Sequence, residues 1–130
     1  MNVVDSSGWL EYFANGANAG FFAPAIEDLD GLLVPSISIL EVFKRVLAQR
    51  GEREALQAAA HMRLGRVVDL DAALALWAAR ISLDLKVPLA DSVILATARA
   101  HDAVLWTQDR DFEGLEGVRY VRQAPRSRRR

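Results

Sequence analysis

The feature that most restricts this chain is an alternation of short apolar runs with longer stretches of helical period. The runs at residues 1–4, 32–34, 66–68 and 103–106 are largely apolar and only three or four residues long, too short for helices. Between them lie segments whose apolar residues recur every three or four positions. Strands that alternate with helices, and that are apolar on both sides, predict a parallel sheet covered on both faces. The expected fold class is α/β, a three-layer sandwich around a central, mainly parallel sheet of four or five strands. Residues 118–121 are the candidate fifth strand.

Helices are expected over residues 6–15, 19–29, 38–50, 52–63, 71–85 and 88–101. In the third, Leu40, Phe43, Val46 and Leu47 form the inward stripe, and Gly51 stops it. Asp71 caps the fifth, with Leu74, Trp77, Ala78 and Ile81 turned inward. Pro88 opens the last. A length of 130 residues suits one compact domain. Residues 1–122 are read as that domain and 123–130 as a basic, disordered tail.

The net charge of −1 conceals an asymmetry. Six of the sixteen basic residues follow Val118, where there is no acid. The first 118 residues carry the other ten against all seventeen acids, a net of −7. An acidic body must still attract its ligand, and Arg45, Arg50, Arg110 and the tail arginines are candidate contacts to phosphate. Cysteine is absent, which excludes disulfides, thiolate catalysis and cysteine-based zinc sites. No apolar run reaches the roughly 18 residues of a membrane span, and the start lacks the pattern of a secretory signal. A cytoplasmic protein with no membrane contact is expected.

In an open parallel sheet, ligands bind beyond the carboxyl ends of the strands. Asp5 directly follows the first strand, and Asp109 follows the fourth after Thr107 and Gln108. Glu41 is expected in the first turn of the helix after the second strand, and Asp91 in the first turn of the helix opened by Pro88. Four carboxylates from distant segments would then meet at one edge, with Asp111 close by. Each also has a simpler reading. Ser38-x-x-Glu41 matches a capping box, Asp91 suits a helix start, Asp5 could cap the next helix, and Asp109 and Asp111 could stabilise a turn. As a set, the acids would repel one another unless a cation were present. An all-oxygen cluster favours Mg2+ or Mn2+. His61 and His101 fall outside it and are read as surface residues.

Four pieces carry a resemblance. They are Val4-Asp5-Ser6-Ser7, the start Ser36-x-x-x-Leu40-Glu41-Val42, the run Pro88-Leu89-Ala90-Asp91-Ser92-Val93-Ile94-Leu95-Ala96-Thr97-Ala98, and Thr107-Gln108-Asp109-Arg110-Asp111-Phe112. In this order and spacing the chain resembles the PIN-domain family, and within it the VapC-type ribonuclease toxins of type II toxin–antitoxin pairs. The resemblance spans residues 1 to about 122. It implies that Asp5, Glu41, Asp91 and Asp109 are the catalytic and metal-holding acids, with Asp5 and Asp91 the expected central ligands and Glu41 and Asp109 completing the shell directly or through water, supported by Asp111, Thr107 and Ser6. It also implies a Mg2+- or Mn2+-dependent endoribonuclease that hydrolyses RNA with metal-activated water, leaving 5′-phosphate and 3′-hydroxyl ends. The implied partners are RNA, a cognate VapB-type antitoxin and a second copy of the chain in a homodimer. Aromatic residues of helix 6–15 are candidates for the partner groove.

Three other readings are weighed. A PIN-like binding module without catalysis would not need the complete acid set. A structure-specific DNA nuclease would use the same acids on another polymer. A phosphoacceptor receiver domain would need a pair of acids after the first strand and a lysine after the last, and both are missing.

Overall fold

In the computed structural model, which describes residues 1–125, five strands form one parallel sheet in the order β3-β2-β1-β4-β5. The strands are β1 (Asn2–Val4), β2 (Leu32–Pro35), β3 (Arg66–Val68), β4 (Val104–Thr107) and β5 (Val118–Tyr120). The helices are α1 (Ser6–Phe13), α2 (Ala19–Glu27), α3 (Ser36–Arg50), α4 (Glu52–Met62), α5 (Ala72–Leu85) and α6 (Leu89–Ala100). The α/β class and the parallel sheet are as expected. Residues 126–130, where most of the anticipated disordered tail falls, lie outside the described residues.

The short strands serve two cores because successive side chains point to opposite faces. Val3, Leu33 and Leu105 join α5 and α6 through Ala78, Ile81 and Ile94. Val4, Leu32, Val34 and Trp106 face the other way, into a core with Trp9, Phe22, Val42 and Met62. The sheet is therefore the middle of three layers. Burial on both faces holds for β1, β2 and β4. The edge strands β3 and β5 are more exposed; Arg66 and Arg119 are exposed, and the Arg119 guanidinium lies 4.3 Å from the centroid of the Trp106 ring.

Three local expectations are corrected. Helix α3 begins at Ser36, with Pro35 as its capping residue, two positions earlier than its periodicity predicted. Proline has a φ suited to a strand-to-helix junction and no N–H to lose. The shift places Ser38 inside the helix, fully buried, so it cannot form a capping box with Glu41. It also places Glu41 in the second turn. The inward stripe is then Ser38, Val42 and Val46, while Leu40 and Leu47 are exposed. In α5, Trp77 is 40% exposed where an inward position was expected. Finally, His61 is half-buried and edge-on to Trp9, Tyr12 and Phe13, with ring centroids 5.4–6.2 Å away.

One glycine is required by close approach. A Cβ on Gly8 would stand 2.6 Å from Phe22 Cε1 and 2.7 Å from Val4 Cγ1, both in fully buried side chains. Gly8→Ala is expected to cost about 1–3 kcal/mol by overpacking. Chemical denaturation measures it, and an unchanged midpoint would show that α1 can move aside freely.

Candidate active site

Chain order creates the cleft. From β1 the sheet grows one way to β2 and the other way to β4, so β1 and β4 are neighbours at a topological switch point. Loops leave the carboxyl ends of these two strands in opposite directions and open a crevice between them. An open cleft of about 280 Å³ lies there, lined by Asp5, Glu41, Asp91 and Asp109. Four of the anticipated acids thus share one cleft.

Asp5 is the first residue beyond β1 and the cap of α1. Its Oδ1 accepts from the Gly8 N–H at 3.1 Å, and the Ser7 hydroxyl donates to the same carboxylate at 2.9–3.0 Å. The capping role considered for it is real, and the residue lines the cleft as well. Only 2% of Asp5 is exposed. Burial pushes its carboxyl from 3.8 up to about 7, against the opposing pull of bonds from Ser7, Gly8 and Thr107. Nearby Asp109 adds to the rise.

Glu41 enters from α3. With no capping box to join, its Oε1 accepts from the Ser6 hydroxyl at 2.6 Å, tying α3 to the start of α1. Asp91 enters from the first turn of α6. It too is pushed up to about 7, first by burial and then by the charges of Asp109, Asp5, Glu41 and Asp111. That four carboxylates raise Asp91 is the electrostatic signature of convergence.

Thr107 ends β4, is fully buried, and accepts the Asp109 N–H on Oγ1 at 2.9 Å. It also acts on the Asp5 carboxylate, lowering its pKa against the effect of burial. Asp109 caps the short 3-10 turn Arg110–Phe112 by accepting from the Asp111 N–H at 2.9 Å. This turn brings Asp111 back toward Asp91. One carboxylate oxygen from each of Asp91, Asp109 and Asp111 lies within 4.8 Å of the others. A single ion can bridge oxygens at that spacing, and an all-carboxylate set suits a hard divalent cation. The residues present therefore fit Mg2+ or Mn2+.

Two supporting groups escaped the sequence. Ser7 grips both oxygens of Asp5; its position in an Asp-Ser-Ser helix start was the available signal. Gln108, only 3% exposed, accepts from Asn18 Nδ2 at 2.9 Å and donates to Glu11 at 3.3 Å. Asn18 also donates to the Arg122 carbonyl at 3.0 Å. This network fastens the α1–α2 connection and the segment after β5 beside the cleft. Nothing in local periodicity marks a glutamine for that role.

A family model described as PIN domain matches residues 3–118. No curated protein sequence matches the chain. Among solved structures, the chain is similar to a toxin–antitoxin complex from Klebsiella pneumoniae, with a TM-score of 0.76 and 21% identity over 91% of this chain and 95% of that one. It is also similar to VapC20 of Mycobacterium tuberculosis, described as a sarcin-ricin loop cleaving toxin, with a TM-score of 0.73 and 21% identity over 92% and 99% of the two chains. A third is DNA-bound VapBC from Salmonella typhimurium, with a TM-score of 0.72 and 17% identity over 94% and 97%. At these identities the structural likenesses establish the shared fold.

Proposed function

The chain belongs to the PIN domain family, and on that premise we propose that it is a divalent-metal-dependent endoribonuclease, the toxin of a toxin–antitoxin pair. The observation that carries the reading is the meeting of Asp5, Glu41, Asp91 and Asp109 in one cleft at the β1–β4 switch point, with Asp111 beside Asp91 and Asp109. The named neighbours include a sarcin-ricin loop cleaving toxin and toxin–antitoxin complexes, which favours RNA as the polymer and a small protein as the partner.

In this reading Asp91, Asp109 and Asp111 hold Mg2+ or Mn2+, with Asp5 and Glu41 completing the acidic wall directly or through water. A bound divalent ion supplies Lewis acidity toward a phosphodiester and lowers the pKa of a coordinated water. The chain's own groups keep the acids in place. Ser7 and the Gly8 N–H orient Asp5, Ser6 orients Glu41, and Thr107 fixes the backbone at Asp109. Ser6 and Thr107 act as positioning residues.

A protein partner has an apolar groove available. Leu10, Phe13, Val46, Ala58 and His61 line a groove of about 330 Å³ between α1, α3 and α4. It is the proposed seat of an antitoxin segment. For the homodimer, Leu76, Leu83 and Leu89 on α5 and the start of α6 are 69–78% exposed and offer apolar surface to a second copy. Among the described residues, no helix is long and apolar enough to cross a membrane.

The test is cleavage of single-stranded RNA and matched DNA with Mg2+, Mn2+ or EDTA. RNA is expected to be cut only with the metal, leaving 5′-phosphate and 3′-hydroxyl ends. One 2′-deoxy sugar at the cut should leave cleavage intact, because the attacking group is water. Cyclic-phosphate ends would overturn the mechanism, and cutting of DNA alone would overturn the substrate.

A further inference from the structure

Among the described residues, the acidic cleft has one cationic side chain in its wall, Arg45. Arg45 lies on α3 one turn beyond Glu41, so the two share a helix face, and both line the cleft. Arg45 is exposed and makes no ion pair among the described residues, where the one salt bridge joins Arg50 to Glu54 at 3.3 Å. Its natural partner, Glu41, is engaged by the Ser6 hydroxyl. The guanidinium beside the acids is therefore left to a ligand from outside. Its planar fork of donors matches two oxygens of a phosphate.

We propose that Arg45 grips the phosphate next to the scissile one and so sets the path of the RNA along the middle of α3. This rests on the ribonuclease reading. The acids repel every phosphate of a polyanion, and an ion bound among them offsets that repulsion only where it sits. A strand crossing the cleft needs a cation at the rim, and among the described lining residues Arg45 is the one that supplies it. Lys44 is next in sequence and exposed, but it does not line the cleft. It carries the same charge on the same turn and is the natural control. Arg50, already paired with Glu54, lines the groove on the other side of α1.

The experiment uses the full chain and labelled single-stranded RNA, with initial rates measured across a salt series. Arg45→Gln is expected to raise KM on the order of tenfold with kcat within about threefold, as for a lost charge-assisted contact made equally in ground and transition states. The slope of log KM against log salt should fall by about 0.7, the value for one phosphate on a single strand. Arg45→Lys should restore the slope and part of the affinity, since it returns the charge without the fork. Lys44→Gln should leave KM and slope within about twofold of the parent, as expected for a charge outside the cleft. Equal effects of the two glutamine variants would overturn the proposal, as would a fall in kcat with KM and slope unchanged. Parent protein that cuts RNA beside an indistinguishable Arg45→Gln removes the Arg45 contact alone. Parent protein that leaves RNA intact removes the ribonuclease reading and this contact with it.

Discussion

Asp5→Asn protein is expected to lose RNA cleavage by on the order of a thousandfold or more while melting no lower than the parent at pH 8. The two outcomes have separate causes. Asparagine keeps an oxygen that can accept from the Gly8 N–H and the Ser7 hydroxyl, so the cap of α1 survives. What disappears is the negative charge at the cleft floor. That charge is costly in the metal-free fold, because Asp5 is only 2% exposed. A residue kept for stability would show the opposite pattern. Turnover assays paired with thermal melting distinguish the two cases. Near-normal cleavage by the variant would refute the role proposed for Asp5, and a melting point well below the parent's would make its carboxylate structural.

The second large effect is on stability, and its sign follows from the same burial. Asp5 and Asp91 are both raised from 3.8 to about 7. Their protons are held more tightly in the folded than in the unfolded chain. The stability they contribute is thus fully present below about pH 4 and is lost as the pH rises through 7. For Asp5 alone the full difference amounts to at most roughly 4 kcal/mol. Asp91 is less buried and adds less. Metal-free protein is therefore expected to melt on the order of 10 °C lower at pH 8.5 than at pH 5. Millimolar Mg2+ or Mn2+ should recover much of this at pH 8.5 and little at pH 5, where Asp5 and Asp91 are protonated. Scanning calorimetry with and without EDTA measures both. A melting temperature that ignores the metal at high pH would argue against an ion among these acids. In Asp5→Asn the pH dependence should shrink, since the variant removes one titrating group and one of the charges acting on Asp91.

Much of this site could be read from the chain because its pieces are local. Asp5 and Asp109 each follow a strand closely, and Asp91 lies in the first turn of a helix that begins at the same edge. Once the strands are recognised as parallel, the switch-point rule carries these acids together. Glu41 was harder. Its spacing from Ser38 fitted a capping box, and the choice turned on whether the helix starts at residue 36 or 38. Pro35 decides that by serving as both the last residue of β2 and the cap of α3. Periodicity misled at Leu40, Leu47 and Trp77 for one reason. A hydrophobic stripe reports which residues are apolar, whereas burial depends on which side of the helix the sheet lies.

The order of elements and the parallel sheet were determined by the amino-acid sequence alone, because strand length, helical period and chain connectivity are properties of neighbouring residues. Only the tertiary structure decided which carboxylate oxygens lie within 4.8 Å of one another, that Ser6 holds Glu41, that Gln108 fastens two distant segments, and that Arg45 faces the cleft while Arg50 is paired elsewhere. Those outcomes depend on distances between residues up to about a hundred positions apart, and such distances are set by how layers pack against the sheet.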